Sequence, residues 1–153
     1  MTVPAAATPR CAGPERTVSS APAFSEVTRE VRVTVRAFFL ADQSEPERGH
    51  YVWAYRVAIA NEGRQTVQLL RRTWSITDAR GRTQSVQGDG VIGEQPVLDP
   101  GESFEYTSGT PLSTPSGFMR GAYHMVVSAT GEAFDVAIPV FSLDSPHDAG
   151  RLH

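Results

Sequence analysis

The stretch Val31-Arg32-Val33-Thr34-Val35-Arg36-Ala37-Phe38-Phe39 sets Val31, Val33, Val35, Ala37 and Phe39 at every second position, with Arg32, Thr34, Arg36 and Phe38 between them. Successive side chains of a β-strand point to opposite faces. This alternation therefore marks a strand with one face in a core and the other toward solvent. Tyr51, Trp53, Tyr55, Val57 and Ile59 repeat the pattern in the next segment, and Asn61-Glu62-Gly63 supplies a turn. A long strand follows from Thr66 to Thr77. Its apolar phase shifts between Val67/Leu69 and Leu70/Trp74/Ile76, so a bulge is expected near Leu69-Leu70.

Working outward, Asp78-Ala79-Arg80-Gly81 closes a hairpin onto residues 82–87, and Ser103–Thr107 makes a strand with Phe104 and Tyr106 on one face. Thr114-Pro115-Ser116-Gly117 is another turn. Residues 118–128 and 132–141 then pair around Ala129-Thr130-Gly131, with Pro139 placing the last strand at an edge or marking its end. Leu98-Asp99-Pro100-Gly101 suits a corner between two sheets. No segment carries a helical period. About seven strands with short, even turn spacing predict an all-β chain folded as a two-sheet β-sandwich. Trp53, Tyr55, Trp74, Phe104 and Tyr123 fall on inward phases and read as core.

Residues 1–25 are rich in Ala, Pro, Thr and Ser, too poor in periodic apolar surface to offset their ordering entropy, and read as a disordered tail. The folded domain is expected over residues 26–146, with a flexible C-terminal tail over 147–153. The net charge of -3, without blocks of like charge, gives no electrostatic grip on nucleic acid or an anionic membrane. All fourteen basic residues counted as Lys+Arg are arginine, which excludes Schiff-base lysine chemistry and a P-loop lysine. The single cysteine, Cys11, provides neither a disulfide framework nor a thiol metal site. There is no secretory signal pattern and no apolar run long enough to span a membrane, so a cytoplasmic protein is expected.

Residues 88–96, Gly-Asp-Gly-Val-Ile-Gly-Glu-Gln-Pro, hold Gly88, Gly90 and Gly93 in G-x-G-x-x-G spacing. In a dinucleotide-binding domain such glycines open a helix. Here they run into Glu94-Gln95-Pro96, and no helix can start. Two roles stay open. Consecutive N–H groups could cradle a pyrophosphate or nucleotide, with Arg71 and Arg72 adding guanidinium forks. Alternatively, the glycines permit a sharp connection whose Glu94 and Gln95 face a partner.

Metal-binding candidates are His50, His124, His147 and His153 with Asp42, Glu45 and Glu47, but no two histidines have ligand spacing. No metal site is expected. Ser108 or Thr107 with His124 and Asp78 forms a triad only on paper, because triads are defined by geometry. No catalytic residue is assigned.

Residues 67–78, then Val86-x-Gly88-x-Gly90-Val91-Ile92-Gly93-Glu94-Gln95-Pro96, then Leu98-x-Pro100-Gly101, Tyr106-Thr107-Ser108-Gly109 and Leu112-x-Thr114-Pro115-x-Gly117-x-Met119-x-Gly121-x-Tyr123 resemble the ApaG family of bacterial proteins. Ile138-Pro139-x-Phe141-x-Leu143 extends the resemblance, which covers roughly residues 27–146. It implies a fibronectin-III/immunoglobulin-like sandwich, and a non-enzymatic binding or interaction domain like the ApaG-like modules of larger eukaryotic proteins. The family is associated with cobalt and magnesium resistance or efflux. A sandwich with no membrane span cannot itself conduct an ion, so that role would be indirect. The expected functional surface is the 88–96 loop with neighbouring turns such as 107–117, facing a protein partner or, in the alternative, pyrophosphate or a nucleotide. No cofactor is expected beyond a weak magnesium or cobalt association, and exposed edge strands allow a homodimer.

Overall fold

A computed structural model describes residues 22–147 and resolves the alternating segments into nine antiparallel strands. One sheet has the order β1 (Phe24–Thr28), β2 (Val31–Phe39), β3 (Tyr51–Asn61), β7 (Ser103–Leu112). The other has the order β5 (Thr83–Asp89), β4 (Val67–Asp78), β8 (Gly117–Val127), β9 (Ala133–Leu143), with the short β6 (Val97–Leu98) also paired to β4. The two sheets face one another as the expected sandwich of the fibronectin-III/immunoglobulin-like type.

Period two decides which residues fill the space between them. On β2 and β3 the register sets Val33 opposite Ile59 and Val35 opposite Val57, and all four are fully buried. Trp74, Tyr123 and Phe141 meet them from the second sheet, with Trp74 edge-on to both other rings. Each such aliphatic side chain contributes about 1.5–3 kcal/mol by leaving water. The Trp53 indole N–H, which would otherwise be stranded at zero exposure, donates to the Asp144 carbonyl at 2.8 Å.

The phase shift in the long strand is a bulge: Leu69 pairs with Met125 and Arg71 with His124, leaving Leu70 unmatched. A second irregularity sets Pro139 and Val140 against Arg120 alone, which accommodates the proline on an edge strand. The corner at 98–101 turns the chain from β6 into β7. Gly101 has φ 88°, and its N–H donates to the Asn61 carbonyl.

Three expectations need adjusting. Phe24 and Ser25, counted with the tail, form the start of β1; residues 1–21 of that tail lie outside the described residues. Phe24 joins because its ring lies 6.4 Å from Phe141, a partner 117 positions away that local composition cannot reveal. β7 continues through Ser108-Gly109-Thr110-Pro111, so most of the supposed 107–117 turn is edge strand, and only residues 113–116 turn. His147, assigned to the C-terminal tail, packs 5.6 Å from Phe39 and 6.0 Å from Tyr51. The rest of that tail is outside the described residues. No helix among the described residues is long and apolar enough to cross a membrane.

Candidate functional site

The 88–96 loop leaves the end of β5 and returns through β6, lying against the bulge of β4. A residue squeezed out of a ladder has backbone groups with no strand partner. Leu70 uses its carbonyl here: it accepts the Gly90 N–H at 2.8 Å and the Gln95 side-chain amide at 2.9 Å. The Gln68 amide in turn donates to the Gln95 carbonyl at 3.1 Å. Thus the bulge fixes the loop at both ends.

Within the loop, Val91 and Glu94 exchange N–H···O=C bonds, both 2.8 Å, around Ile92 and Gly93. Both central residues have positive φ, 42° and 81°, the backbone of a type I′ turn. Glycine suits the second position. Isoleucine at the first is unusual, because a β-branched side chain crowds the left-handed region. Val91 is fully buried, whereas Ile92 is 53% exposed and Val97 51% exposed. Strain and exposed apolar surface coincide at one side chain.

The structure separates the residues singled out from sequence. Arg72 lies on the inward phase of β4 and reaches the loop: its Nη1 donates to the carbonyls of Asp89 at 3.0 Å and Gly90 at 2.7 Å. Gly88 makes room for that guanidinium, since a Cβ there would stand 2.9 Å from two of its nitrogens. Gly90 (φ 61°) is needed for the fold of the turn, because a Cβ would meet the Glu94 carbonyl oxygen at 2.2 Å. Arg71 is on the opposite phase, exposed on the outer face beside His124 and away from Arg72. Gln95 spends its side chain bracing the loop, while Glu94 and Gly93 stand exposed. The N–H groups of Gly90, Val91 and Glu94 all donate to backbone carbonyls and do not point together into a concavity.

Beneath the loop, three tyrosines bring hydroxyls toward Arg72. Tyr106 and Tyr123 share a buried hydroxyl–hydroxyl bond of 2.5 Å. Burial pushes both phenols above the ordinary tyrosine value, while the Arg72 charge pulls modestly the other way. Burial also raises Tyr55, against a hydrogen bond from Ser108 and the charge of Arg72. A polar seam of this kind was hidden in the sequence, where Tyr55 and Tyr123 read only as core and Tyr106 only as sharing a strand face with Phe104.

The paper triad does not assemble. Ser108 is opposite Tyr55 on the first sheet, and Asp78 holds the β4–β5 hairpin through the N–H groups of Arg80 and Arg82. His124 instead sits on the outer face of the second sheet, between Thr73 Oγ1 at 2.7 Å and Asp135 Oδ1 at 2.8 Å. A carboxylate accepts, so the Nδ1–H donates to Asp135, and the Thr73 hydroxyl, which can donate or accept, completes the bond at Nε2. This is a cross-strand ladder on an open sheet face. Among the described residues, no group of three or more His, Cys, Asp or Glu is placed to hold a metal ion.

Comparison with known proteins matches this geometry to a family. A model of the ApaG domain matches residues 41–127, from the β2–β3 connection to the end of β8. Protein ApaG of Rhodospirillum centenum is 66% identical over 128 residues, covering 84% of this chain and 98% of that one. Protein ApaG of Paramagnetospirillum magneticum is 62% identical over 130 residues, covering 85% and 99%. Among solved structures, the crystal structure of an ApaA protein from Bordetella pertussis superposes with a TM-score of 0.73 at 46% identity, over 80% of this chain and 96% of that one. By the domain model and these near-full-length relatives, the chain belongs to the ApaG family.

Proposed function

We propose that the protein is a non-enzymatic interaction domain whose 88–96 loop seats on a protein partner, with Ile92 as the anchor. One observation carries this reading: an isoleucine is held at φ 42° and 53% exposed at the tip of a hairpin braced by Leu70, Gln68 and Arg72. Strain persists where the surroundings over-determine a conformation, and apolar side chains presented without ordering cost make effective interface anchors. Val97 is a second exposed apolar side chain five residues on, and Glu94 places a charge within the same turn. A role in cobalt or magnesium resistance would then run through the partner. The test is capture of proteins from the native cell extract by the wild type and by Ile92→Asp. Retention of the same partners by the variant would overturn the reading. Inorganic phosphate release from nucleotides is expected to stay at background.

The alternative, a pyrophosphate or nucleotide sensor, has support from Arg72. Its guanidinium covers the loop, and among the described residues no carboxylate is paired with it. Against it stand the three loop N–H groups already bonded to carbonyls and the nearby Asp89 and Glu94. Calorimetry with pyrophosphate on wild type and Arg72→Gln decides between them; binding lost in the variant favours the sensor.

A further inference from the structure

The two flanks of the sandwich differ. On one, the Ala137 N–H of β9 donates to Thr28 Oγ1 of β1 at 3.2 Å and ties the sheets together. On the other, β5 and β7 each end their sheet, and a cleft of about 490 Å³ opens between them near Gln84 and Leu112. Further along the same flank, inward phases carry Arg72 and Gly88 on the second sheet and Tyr55 and Ser108 on the first. The Arg72 charge acts on Tyr55, Tyr106 and Tyr123 alike, so all four side chains share one neighbourhood.

The polar groups gathered there are rich in donors and poor in acceptors. Nη1 of Arg72 gives its N–H groups to the carbonyls of Asp89 and Gly90. Its Nε and Nη2 donors meet no acceptor among the described residues. Tyr106 and Tyr123 share one hydroxyl–hydroxyl bond. Whichever of them donates, the proton of the other has no acceptor among the described residues. That proton lies in the core, since Tyr123 is fully buried and Tyr106 nearly so. Buried donors are almost always paired, and an unpaired one calls for a group that completes it. The nearby carboxylates do not serve: Asp89 shares the outer phase with Arg71, and Glu94 stands exposed on the turn.

We propose that this cluster binds a single carboxylate group, held by the Nε and Nη2 edge of Arg72 and capped by the tyrosine hydroxyl that has no acceptor. That edge of a guanidinium presents two parallel N–H groups, which match the two oxygens of a carboxylate. One arginine charge balances one carboxylate charge. Asp89 and Glu94 in the overlying loop oppose a polyanion, so pyrophosphate is the poorer fit. Gly88 leaves the guanidinium its place, because a Cβ there would stand 2.9 Å from both Nη1 and Nη2. Access runs through the open flank, where Gly88 and Ser108 are only half-buried. The inference goes beyond the loop-anchor reading and does not depend on Ile92.

The probe is acetate, titrated onto the full chain at constant ionic strength, with the Nε–H magnetic resonances of the arginines as readout. The Arg72 resonance is expected to shift and to saturate in the millimolar range, while that of Arg71 stays in place. Acetamide, the neutral isostere, should move neither. Arg72→Lys keeps the charge but loses the fork, and should bind acetate about tenfold more weakly. Tyr106→Phe/Tyr123→Phe removes the capping hydroxyl and should weaken binding about fivefold. Ile92→Asn should bind acetate as the native protein does. The peptide acetyl-Ala-Glu-Ala-amide separates two sources of the carboxylate. Binding tighter than acetate assigns it to a protein partner and weaker binding to a free acid, and both support the site. The proposal is overturned if the Arg72 resonance does not move up to about 100 mM acetate, or if another arginine responds in its place. It is equally overturned if pyrophosphate binds as tightly as acetate, or if the tyrosine double variant binds like the native protein.

Discussion

The Gly90 N–H donates to the Leu70 carbonyl at 2.8 Å, joining the one residue that β4 leaves out of its ladder to the loop that defines the candidate surface. A local irregularity in a strand thereby sets the position of a turn about twenty residues further on.

Substitution at Gly90 should test that link first. A Cβ there would overlap the Glu94 carbonyl at 2.2 Å, and φ is 61°. Gly90→Ala is expected to destabilise by about 2 kcal/mol, through left-handed strain plus displacement of the turn. Urea unfolding reads this as a lower midpoint at unchanged slope. A midpoint equal to wild type would mean that the turn does not depend on this glycine.

Ile92 should behave in the opposite sense. Asparagine tolerates the left-handed region that isoleucine resists, so Ile92→Asn is expected to stabilise the isolated domain by about 1 kcal/mol. The same change removes the proposed anchor. Higher stability with weaker partner capture is the expected pair of results, and thermal unfolding beside affinity measurement checks both.

The tyrosine pair supports a cycle of substitutions. Tyr106→Phe leaves the buried Tyr123 hydroxyl without its partner and should cost about 1–2 kcal/mol. The double variant Tyr106→Phe/Tyr123→Phe removes both polar ends and should lie closer to wild type than the sum of the singles. Because burial raises both phenols in the folded state, their contribution is intact below the unfolded tyrosine value of about 10 and is lost as pH rises toward the folded values. The double variant should lose this alkaline sensitivity.

Asp78 governs the acid side. Burial opposes its ionised form, but the N–H groups of Arg82 and Arg80 and the Arg82 guanidinium outweigh it and hold the carboxyl below its usual value. A depressed folded value means the contribution is present above the unfolded carboxylate pKa of about 3.9 and is lost as pH falls through the folded value. Asp78→Asn should therefore flatten the fall in stability between about pH 5 and pH 2, measured by urea unfolding across that range.

The sandwich itself was readable in the chain because period two in β2, β3 and β8 states which face is buried. The bulge was readable for the same reason: an extra residue must flip the phase, as it does at Leu70. Features that rest on distant partners were not. β1 is short and its pattern weak; it orders by pairing Phe24 with Val35 and packing on Phe141. Gly109 and Pro111 read as turn residues, but pairing with β3 keeps that segment extended. The glycine spacing drew attention to backbone N–H groups, and only the position of the Leu70 and Glu94 carbonyls reveals that the Gly90 and Val91 donors turn inward to backbone. Likewise, Arg71 and Arg72 are neighbours in sequence and occupy opposite faces in the fold.

The contact of β1 with β9 on one flank, and the cleft between β5 and β7 on the other, give the sandwich the build of a bound book. The spine is stitched by Thr28 and Phe24, and the pages part at the fore-edge. Breathing motions should concentrate at that fore-edge, where amide exchange can proceed without disturbing the aromatic packing around Trp53 and Phe141. The domain can thus loosen along β5 and stay shut where β1 meets β9.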